Sequence, residues 1–262
     1  MGLIPELALV VFLYMTALFL LAWAVEDNSI VDIAWGPGFI LIAWLSMLWG
    51  SGPLTRPLLA TGMVTIWGSR LAAHIYFRNR GQGEDRRYAA WRRQWGRWFR
   101  LRSFFQIFML QGSLMLVIAW EVVLINTRSG SGLGWLDGIG ALVWLTGFCF
   151  QVVGDAQLAR FKRDPSNQGD VLDTGLWRYT RHPNYFGEAV MWWGIFLVAL
   201  NVSGGWMGVV SPLVITGLLL RVSGVPMLER DMAERRPGYR EYVSRTSSFF
   251  PMPPKRDGAE EA

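Results

Sequence analysis

The sequence predicts an all-α integral membrane protein, folded as a bundle of seven transmembrane helices with short cytoplasmic caps. Of its 262 residues, 52% are hydrophobic and 15 are tryptophan, a composition typical of chains with several membrane spans. The charged residues are confined to a few segments that separate long apolar runs. Because about 20 apolar residues cross the hydrocarbon core of a bilayer, each long run can form one span.

Seven apolar runs have the length and the low charge of membrane spans. The last two are separated by a turn signal at 201–205, because the charge-free residues 189–220 are too many for one crossing. No basic residue precedes the first run and no small-residue cleavage site follows it, so we expect a retained span and not a signal peptide. The predicted spans are residues 7–25, 30–49, 58–77, 104–123, 136–154, 186–201 and 205–221.

We expect a single membrane domain over residues 1–252, followed by a disordered tail over residues 253–262. The loops between the spans are too short to build a hydrophobic core of their own, so they are expected to cap the bundle. The tail contains charged residues and proline and lacks the large apolar residues that could anchor it.

The distribution of arginine indicates the orientation of the bundle. Residues 78–102 contain nine arginines, and residues 155–181 and the segment after Arg221 are also basic. With seven spans these three segments fall on one side of the membrane, as the positive-inside rule requires. We therefore expect the N-terminus outside and the C-terminus in the cytoplasm.

The net charge of +5 does not by itself indicate nucleic-acid binding. In the most basic segment, Trp91, Trp95 and Trp98 recur at helical spacing and leave the arginines on the other face. This pattern is typical of a helix in the headgroup plane, so we expect membrane lipids and no nucleic acid as partners. Two histidines and one cysteine are too few to predict a metal site or an intrachain disulfide.

The densest cluster of polar side chains is the segment 181–188, which reads Arg-His-Pro-Asn-Tyr-Phe-Gly-Glu at the start of an apolar run. Ionisable groups at a membrane boundary are costly unless a partner or a ligand uses them. The arginines and the lysine upstream could bind phosphates, whereas Asp155 and Glu188 could hold ribose hydroxyls or an amide. Adenine dinucleotides and adenosyl cofactors both fit that description.

Other ionisable residues lie inside or at the rims of the predicted spans. Arg70, His74 and Arg78 are spaced four residues apart and so share one face of the third span. Asp32 lies near the start of the second span, and Asp155 lies at the end of the fifth. The carboxylates could neutralise Arg70 or Arg78, or these residues could line a pocket for one water-soluble and one lipid-like ligand.

The chain resembles the steroid 5α-reductase family, in particular its bacterial membrane branch, over most of its length. The resemblance is carried by residues 29–36, by Arg70, His74 and 79–81, by Asp155 with Lys162 and Arg163, and by residues 175–188. It implies a seven-helix enzyme of the bacterial inner membrane that uses NADPH as its cofactor. The implied reaction reduces a carbon–carbon double bond conjugated to a ketone in a steroid-like lipid, which would enter from the bilayer.

The resemblance and the residue chemistry together give two sets of site residues. The predicted catalytic set, which would supply a hydrogen bond or a positive charge to the substrate oxygen, is Asp32, Arg70 and His74. The tyrosine that grips the substrate ketone in that family has no clean counterpart, because Trp67 or Gly68 takes its position. The predicted cofactor-binding set is Asn79, Asp155, Lys162, Arg163, Arg178, His182, Asn184, Tyr185, Glu188, Glu229 and Tyr242.

A second family shares part of this pattern. The motif Arg-His-Pro-x-Tyr-x-Gly, followed by Glu229, Tyr242 and Pro251, is also similar to isoprenylcysteine and phospholipid methyltransferases, which bind S-adenosylmethionine. Two features favour the reductase. Residues 32–35 follow the reductase pattern, and the pair Lys162 and Arg163 suits the 2′-phosphate of NADPH.

Overall fold

The computed structural model describes residues 3–128, 130, 132–222, 224, 225, 229, 232 and 236–255. Within these residues the chain is helical and contains no strand. Short 3₁₀ turns cover Gly96–Trp98, Pro165–Asn167, Gly175–Arg178 and Gly205–Val209, and π-helical turns cover Phe104–Met109 and Leu218–Val222. The α-helices are α1 (Leu3–Val25), α2 (Ile30–Trp49), α3 (Thr55–Asn79), α4 (Arg86–Trp95), α5 (Phe99–Ser103), α6 (Leu110–Ile118), α7 (Trp120–Arg128), α8 (Trp135–Arg163), α9 (Pro183–Ala199), α10 (Val210–Gly217) and α11 (Tyr239–Arg245).

Five helical stretches of the described chain are long and apolar enough to cross a membrane. They are Leu3–Val25, Ile30–Trp49, Arg86–Ile118, Trp135–Arg163 and Gly205–Val222. These stretches are compatible with an integral membrane protein, but the predicted number of seven spans is not confirmed. The two predicted spans outside this set correspond to α3, which contains three arginines, and to α9, which has only 17 residues.

Two helices differ from their predicted bounds for physical reasons. Helix α8 continues to Arg163, well beyond the predicted limit at residue 154, because basic residues stabilise the C-terminal end of a helix. Asp155 therefore lies within α8 and not at its end. Helix α4 ends at Trp95, because Gly96 has a φ of 48°. Trp98 consequently lies outside α4, although the spacing predicts that it continues the face of Trp91 and Trp95.

The chain divides into two compact units. The first unit comprises residues 1–137 and 198–211, and the second comprises residues 138–197 and 212–262. The expectation of a single membrane domain stays a prediction. Of the predicted disordered tail, residues 253–255 are described, and residues 256–262 lie outside the described part of the chain.

The first unit is built on a close crossing of α2 and α3. A Cβ atom added at Gly36 would lie 2.2 Å from the backbone oxygen of Gly68, so both helices need glycine at this point. Helix α7 joins α2 through Asn126, whose amide donates to the carbonyl of Ala43 at 2.8 Å and to Ser46 Oγ at 2.9 Å. Such bonds between helices satisfy polar groups that apolar surroundings would otherwise leave unpaired.

The second unit is built on the crossing of α8 and α9. A Cβ atom added at Gly147 would lie 2.5 Å from the backbone oxygen of Gly187. One end of the same crossing is closed by Pro183, whose ring would lie 3.1 Å from a Cβ atom at Gly154. The two helix backbones therefore approach closely over several turns, and the polar side chains that face each other along the crossing lie within hydrogen-bonding distance.

Candidate functional site

Four polar side chains form a column between α8 and α9, which we call the polar column. Gln151 and Asp155 lie one turn apart on α8, and Asn184 and Glu188 lie one turn apart on α9. The Asn184 amide donates to Asp155 Oδ1 at 3.0 Å, and the Gln151 amide donates to Glu188 Oε2 at 3.3 Å. Gln151, Asp155 and Glu188 are buried, and Gln151 Oε1 has no hydrogen-bond partner among the described residues. Because an unsatisfied buried acceptor is costly, this oxygen can accept a hydrogen bond from a ligand.

The start of α9 positions two members of the column. Pro183 is the first residue of α9, where its missing N–H leaves no helical bond unmade. Asn184 follows, and its side-chain oxygen accepts a hydrogen bond from the backbone N–H of Tyr185 at 3.0 Å. The Asn184 side chain is therefore held by its own helix on one side and by Asp155 on the other.

Arg181 and His182 share one carboxylate acceptor, Glu229. The Arg181 guanidinium donates to both carboxylate oxygens, at 2.8 and 3.1 Å, and His182 Nε2 lies 2.8 Å from Glu229 Oε1. Burial would raise the pKa of Glu229, but the hydrogen bonds from His182 and Arg181 outweigh it and lower that pKa to about 2. His182 also stacks on Tyr185, with ring centroids 5.6 Å apart. Two predicted cofactor ligands, His182 and Glu229, are thus bonded to each other.

The C-terminal segment 239–252 is bonded to the loop that precedes α9. The Arg181 guanidinium donates to the carbonyl of Thr246 at 2.6 Å, and the buried Tyr242 donates its hydroxyl hydrogen to the carbonyl of Trp177 at 2.5 Å. This network ties the motif 181–188 to the C-terminal segment 239–252. Further bonds in it join Arg181 N to Ser247 O, Thr180 Oγ1 to Phe249 O and Met252 N to Tyr179 O.

A groove of about 500 Å³ lies beside the C-terminal end of α8, and we call it the arginine groove. Arg160 and Arg163 line it from one helix face, whereas Lys162 is not among its lining residues. Asp164 also lines the groove, but its carboxylate accepts hydrogen bonds from the N–H and the hydroxyl of Ser166. Both arginines are exposed, so the groove offers two guanidinium groups to an anion that enters from water.

In the first unit, Asp32 is bonded to two neighbouring residues of α4. Arg87 Nη2 lies 2.6 Å from Asp32 Oδ2, and the Tyr88 hydroxyl donates to Asp32 Oδ1 at 2.6 Å. Asp85 is the N-cap of α4 and accepts from the backbone N–H of Arg87 at 2.9 Å, which fixes the start of the helix. Asp32 is therefore paired with Arg87 and Tyr88, and we call these three residues the Asp32 cluster.

The predicted residues of α3 are spread along its last turns. Arg70 and His74 are half-buried, and Arg78 is exposed. Arg78 Nε donates to Asn79 Oδ1 at 3.1 Å, and Asn79 Nδ2 is buried without a hydrogen-bond partner among the described residues. Like Gln151 Oε1 in the second unit, this amide group retains hydrogen-bonding capacity for a ligand.

The structure groups the predicted residues differently from their order in the sequence. Asp155, Asn184 and Glu188 form the polar column with Gln151, whereas Arg178 lies exposed at the end of a 3₁₀ turn. Gln151 is not among the predicted site residues, although its position one helical turn before Asp155 is a signal for it. Arg87 and Tyr88 are not among them either, and no local signal exists for them, because their contact with Asp32 spans about 55 residues of chain. Among the described residues no group of three metal-ligating side chains occurs.

These features describe a protein that is helical within its described residues, is compatible with an integral membrane protein, and has a buried polar column and an arginine groove in one unit. Comparison with known families gives a more specific assignment. Residues 18–246 match the family described as "Protein of unknown function (DUF1295)", which includes steroid 5-alpha-reductase-like proteins. Because the match covers most of the chain, the protein belongs to this family.

Two curated proteins are similar to the chain. The "Uncharacterized protein C594.04c" of Schizosaccharomyces pombe is 25% identical over 227 residues, which cover 75% of this chain and 63% of that protein. The "Steroid 5-alpha-reductase DET2" of Arabidopsis thaliana is 36% identical over 78 residues, or 29% of each chain. The chain thus spans less than two thirds of either relative. No solved structure matches it.

Proposed function

We propose that this protein is an NADPH-dependent membrane reductase that acts on the carbon–carbon double bond of a lipid-soluble enone. A 3-oxo-Δ4-steroid or a similar isoprenoid is the substrate class that we infer. The observation that carries the proposal is the polar column, whose buried Gln151 Oε1 retains an open acceptor. The similarity to a steroid 5-alpha-reductase supports reduction as the reaction, and the methyltransferase alternative has no support from these similarities.

The second unit fits a nucleotide cofactor. Arg160 and Arg163 of the arginine groove would bind phosphate groups, because guanidinium groups form paired hydrogen bonds with them. Asp155 and Asn184 would hold hydroxyl or amide groups of the cofactor, and Gln151 Oε1 would accept a hydrogen bond from an N–H or O–H. When bound, NADPH would supply the hydride.

The first unit fits recognition of a carbonyl oxygen. Asp32 accepts a hydrogen bond on each carboxylate oxygen, one from the Arg87 guanidinium and one from the Tyr88 hydroxyl. Both of its oxygens are therefore engaged as acceptors, so we assign the donor role to Tyr88 and a positioning role to Asp32. The Tyr88 hydroxyl has one hydrogen, which would turn from Asp32 Oδ1 to the substrate oxygen as negative charge develops there, and Arg87 would stabilise that charge. Arg70 and His74 remain candidates for the same electrostatic role.

The proposal is tested by measuring which cofactor stabilises the protein. The purified full chain in detergent is heated in the presence of NADPH, NADH or S-adenosylmethionine at matched concentrations. A ligand that binds only the folded state raises the unfolding temperature, and at a hundredfold excess over Kd the gain is about 2.7 kcal/mol. We expect the largest increase with NADPH. Selective stabilisation by S-adenosylmethionine would refute the reductase proposal.

A further inference from the structure

The arginines of the segment 86–102 fall into two groups. Arg87 pairs with Asp32, and Arg92 forms two hydrogen bonds with Glu84, at 2.8 and 3.0 Å. The remaining arginines, which we call the outer arginines, are all exposed. No ion pair of these outer arginines occurs within the described ranges of the chain. They are Arg86, Arg93, Arg97, Arg100 and Arg102.

Large apolar side chains lie beside these outer arginines. Trp98 is 52% exposed, Leu101 is 54% exposed and Phe105 is 58% exposed. Three of the arginines contact aromatic rings. The Arg97 guanidinium lies 5.3 Å from the Trp98 ring, that of Arg100 lies 4.5 Å from the Trp23 ring, and that of Arg102 lies 5.9 Å from the Trp95 ring. Exposed aromatic residues interleaved with arginine are typical of the depth at which lipid headgroups meet the hydrocarbon core.

Hydrogen bonds before α4 fix its position relative to α2. Glu84 accepts a hydrogen bond from the backbone N–H of Asn28 at 3.1 Å, and Ser29 Oγ accepts one from the backbone N–H of Asp85 at 2.7 Å. These bonds join the residues before α4 to the residues before α2. Because Arg87 and Tyr88 belong to α4 and Asp32 belongs to α2, a shift of α4 against α2 would move Arg87 and Tyr88 relative to Asp32.

We propose that acidic phospholipid headgroups bind the outer arginines and thereby hold α4 in the position that keeps Arg87 and Tyr88 on Asp32. The anionic lipid of the bilayer then acts as a positive regulator of the Asp32 cluster. The exposed apolar residues favour a lipid surface over a nucleic acid, because they continue into the apolar stretch that ends at Ile118. Charge complementarity favours acidic over zwitterionic lipid, because each arginine gains free energy near an anionic surface.

Lipid selectivity tests the binding step. The full chain, purified in a neutral detergent, is incubated with phosphatidylglycerol or phosphatidylcholine of the same chain length, and bound lipids are counted by native mass spectrometry. We expect the wild type to prefer phosphatidylglycerol. The triple variant Arg93→Gln/Arg97→Gln/Arg100→Gln should bind it on the order of a hundredfold more weakly. The matched variant with lysine at the same three positions retains the charge and should retain most of the preference.

Hydrogen exchange tests the coupling to Asp32. Phosphatidylglycerol should slow exchange of the backbone amides of residues 84–92 in the wild type and in the lysine variant, but not in the glutamine variant. Equal binding of the two lipids by the wild type, or exchange that does not respond to phosphatidylglycerol, would overturn the proposal. Protection of residues 84–92 by a short RNA and not by phosphatidylglycerol would also overturn it. No nucleotide cofactor is needed, so these results are independent of the proposed reductase activity.

Discussion

Arg181 and Glu229 form a two-bond ion pair in which the Arg181 guanidinium contacts both carboxylate oxygens, at 2.8 and 3.1 Å. The Arg181 guanidinium also donates to the carbonyls of Val243 and Thr246, so one side chain connects Glu229 with two residues of the C-terminal segment 239–252. Arg181 belongs to the motif 181–188 and is buried. Its contacts within the described residues make it a residue that holds the site in place.

The depressed pKa of Glu229 predicts a loss of stability in acid. A carboxyl group whose folded pKa lies near 2, below its ordinary value of 4.5, stabilises the folded state above pH 4.5. That stabilisation is lost as the pH falls through about 2. We expect Glu229→Gln to lower the free energy of unfolding at neutral pH by about 1.5–3 kcal/mol, the usual value of hydrogen bonds to a charged group. Unfolding temperatures of wild type and variant, measured in detergent between neutral and acidic pH, should converge in acid.

Glu241→Gln is the matched control for this prediction. Glu241 is an exposed glutamate of α11 that pairs with Arg245 at 3.5 Å on the helix surface. Exposed pairs of this kind contribute about 0.3–0.5 kcal/mol. The difference in unfolding temperature between wild type and Glu241→Gln should therefore be small. An equal loss in the two variants would contradict the assigned role of Glu229.

The arginine groove predicts which cation binds the 2′-phosphate. Arg163→Ala should weaken NADPH binding by about 1.5–3 kcal/mol, or roughly tenfold to a hundredfold, and should leave NADH binding unchanged. Arg160→Ala should also weaken NADPH binding, because Arg160 lines the groove from the same face of α8 as Arg163. Isothermal titration with NADPH and NADH provides the measurement.

Lys162→Ala is the control that separates the arginine groove from a general effect of charge. Lys162 lies between the two arginines in the sequence but does not line the groove. The sequence predicts a shared phosphate for Lys162 and Arg163, because the two cations are adjacent. We now expect Lys162→Ala to alter NADPH affinity much less than Arg163→Ala. An unchanged preference for NADPH over NADH in all three variants would count against a phosphate site in this groove.

The Asp32 cluster predicts effects on turnover rather than on cofactor affinity. Tyr88→Phe removes the proposed donor and keeps the ring, so reduction of a 3-oxo-Δ4-steroid should slow by roughly a hundredfold or more. Asp32→Asn and Arg70→Ala should also lower turnover more than NADPH affinity. Steady-state rates and thermal stabilisation by NADPH measure the two quantities separately.

Tyr14→Phe is the matched control for Tyr88→Phe. The Tyr14 hydroxyl also bonds to α2, but its acceptor is the backbone carbonyl of Ala34 at 2.7 Å. This variant should keep its turnover if the proposed role of Tyr88 is correct. A similar loss of turnover in both tyrosine variants would show that packing against α2, and not the donor to the substrate, explains the effect.

Local sequence patterns predict the helices well where an apolar run is bounded by polar residues. Helix α2 has the predicted bounds, because Asn28 and Ser29 precede its apolar run and Gly50 follows it. The end of α8 is predicted less well, because the limit of an apolar run marks the edge of the hydrocarbon core and not the end of a helix. Arg160 and Arg163 lie in the last turn of α8, where positive charge stabilises the C-terminal end of a helix.

The contacts of the candidate site depend on information that local patterns do not contain. Several arginines were available to pair with Asp32, and their charges alone do not distinguish Arg87 from Arg70 or Arg78. The choice follows from tertiary packing, which brings α4 to the start of α2. The polar column was more predictable, because residues at a spacing of four share a helix face. What the spacing did not show is that Asp155 and Asn184 face each other.

The close crossing of α8 and α9 predicts a strong effect of one methyl group. In Gly147→Ala the new Cβ would lie 2.5 Å from the oxygen of Gly187 and 2.7 Å from the nitrogen of Met191. Backbone atoms cannot yield as a flexible side chain can, so we expect a loss of about 1–3 kcal/mol in the free energy of unfolding. Gly138→Ala, on the same helix, has no atom within 4 Å of the new Cβ and should be neutral or stabilising by up to about 1 kcal/mol.

Thermal unfolding in detergent distinguishes the two variants, and equal unfolding temperatures would show that α8 and α9 do not cross at Gly147. Because the crossing also aligns the polar column, Gly147→Ala should weaken NADPH binding together with stability, whereas Gly138→Ala should preserve both.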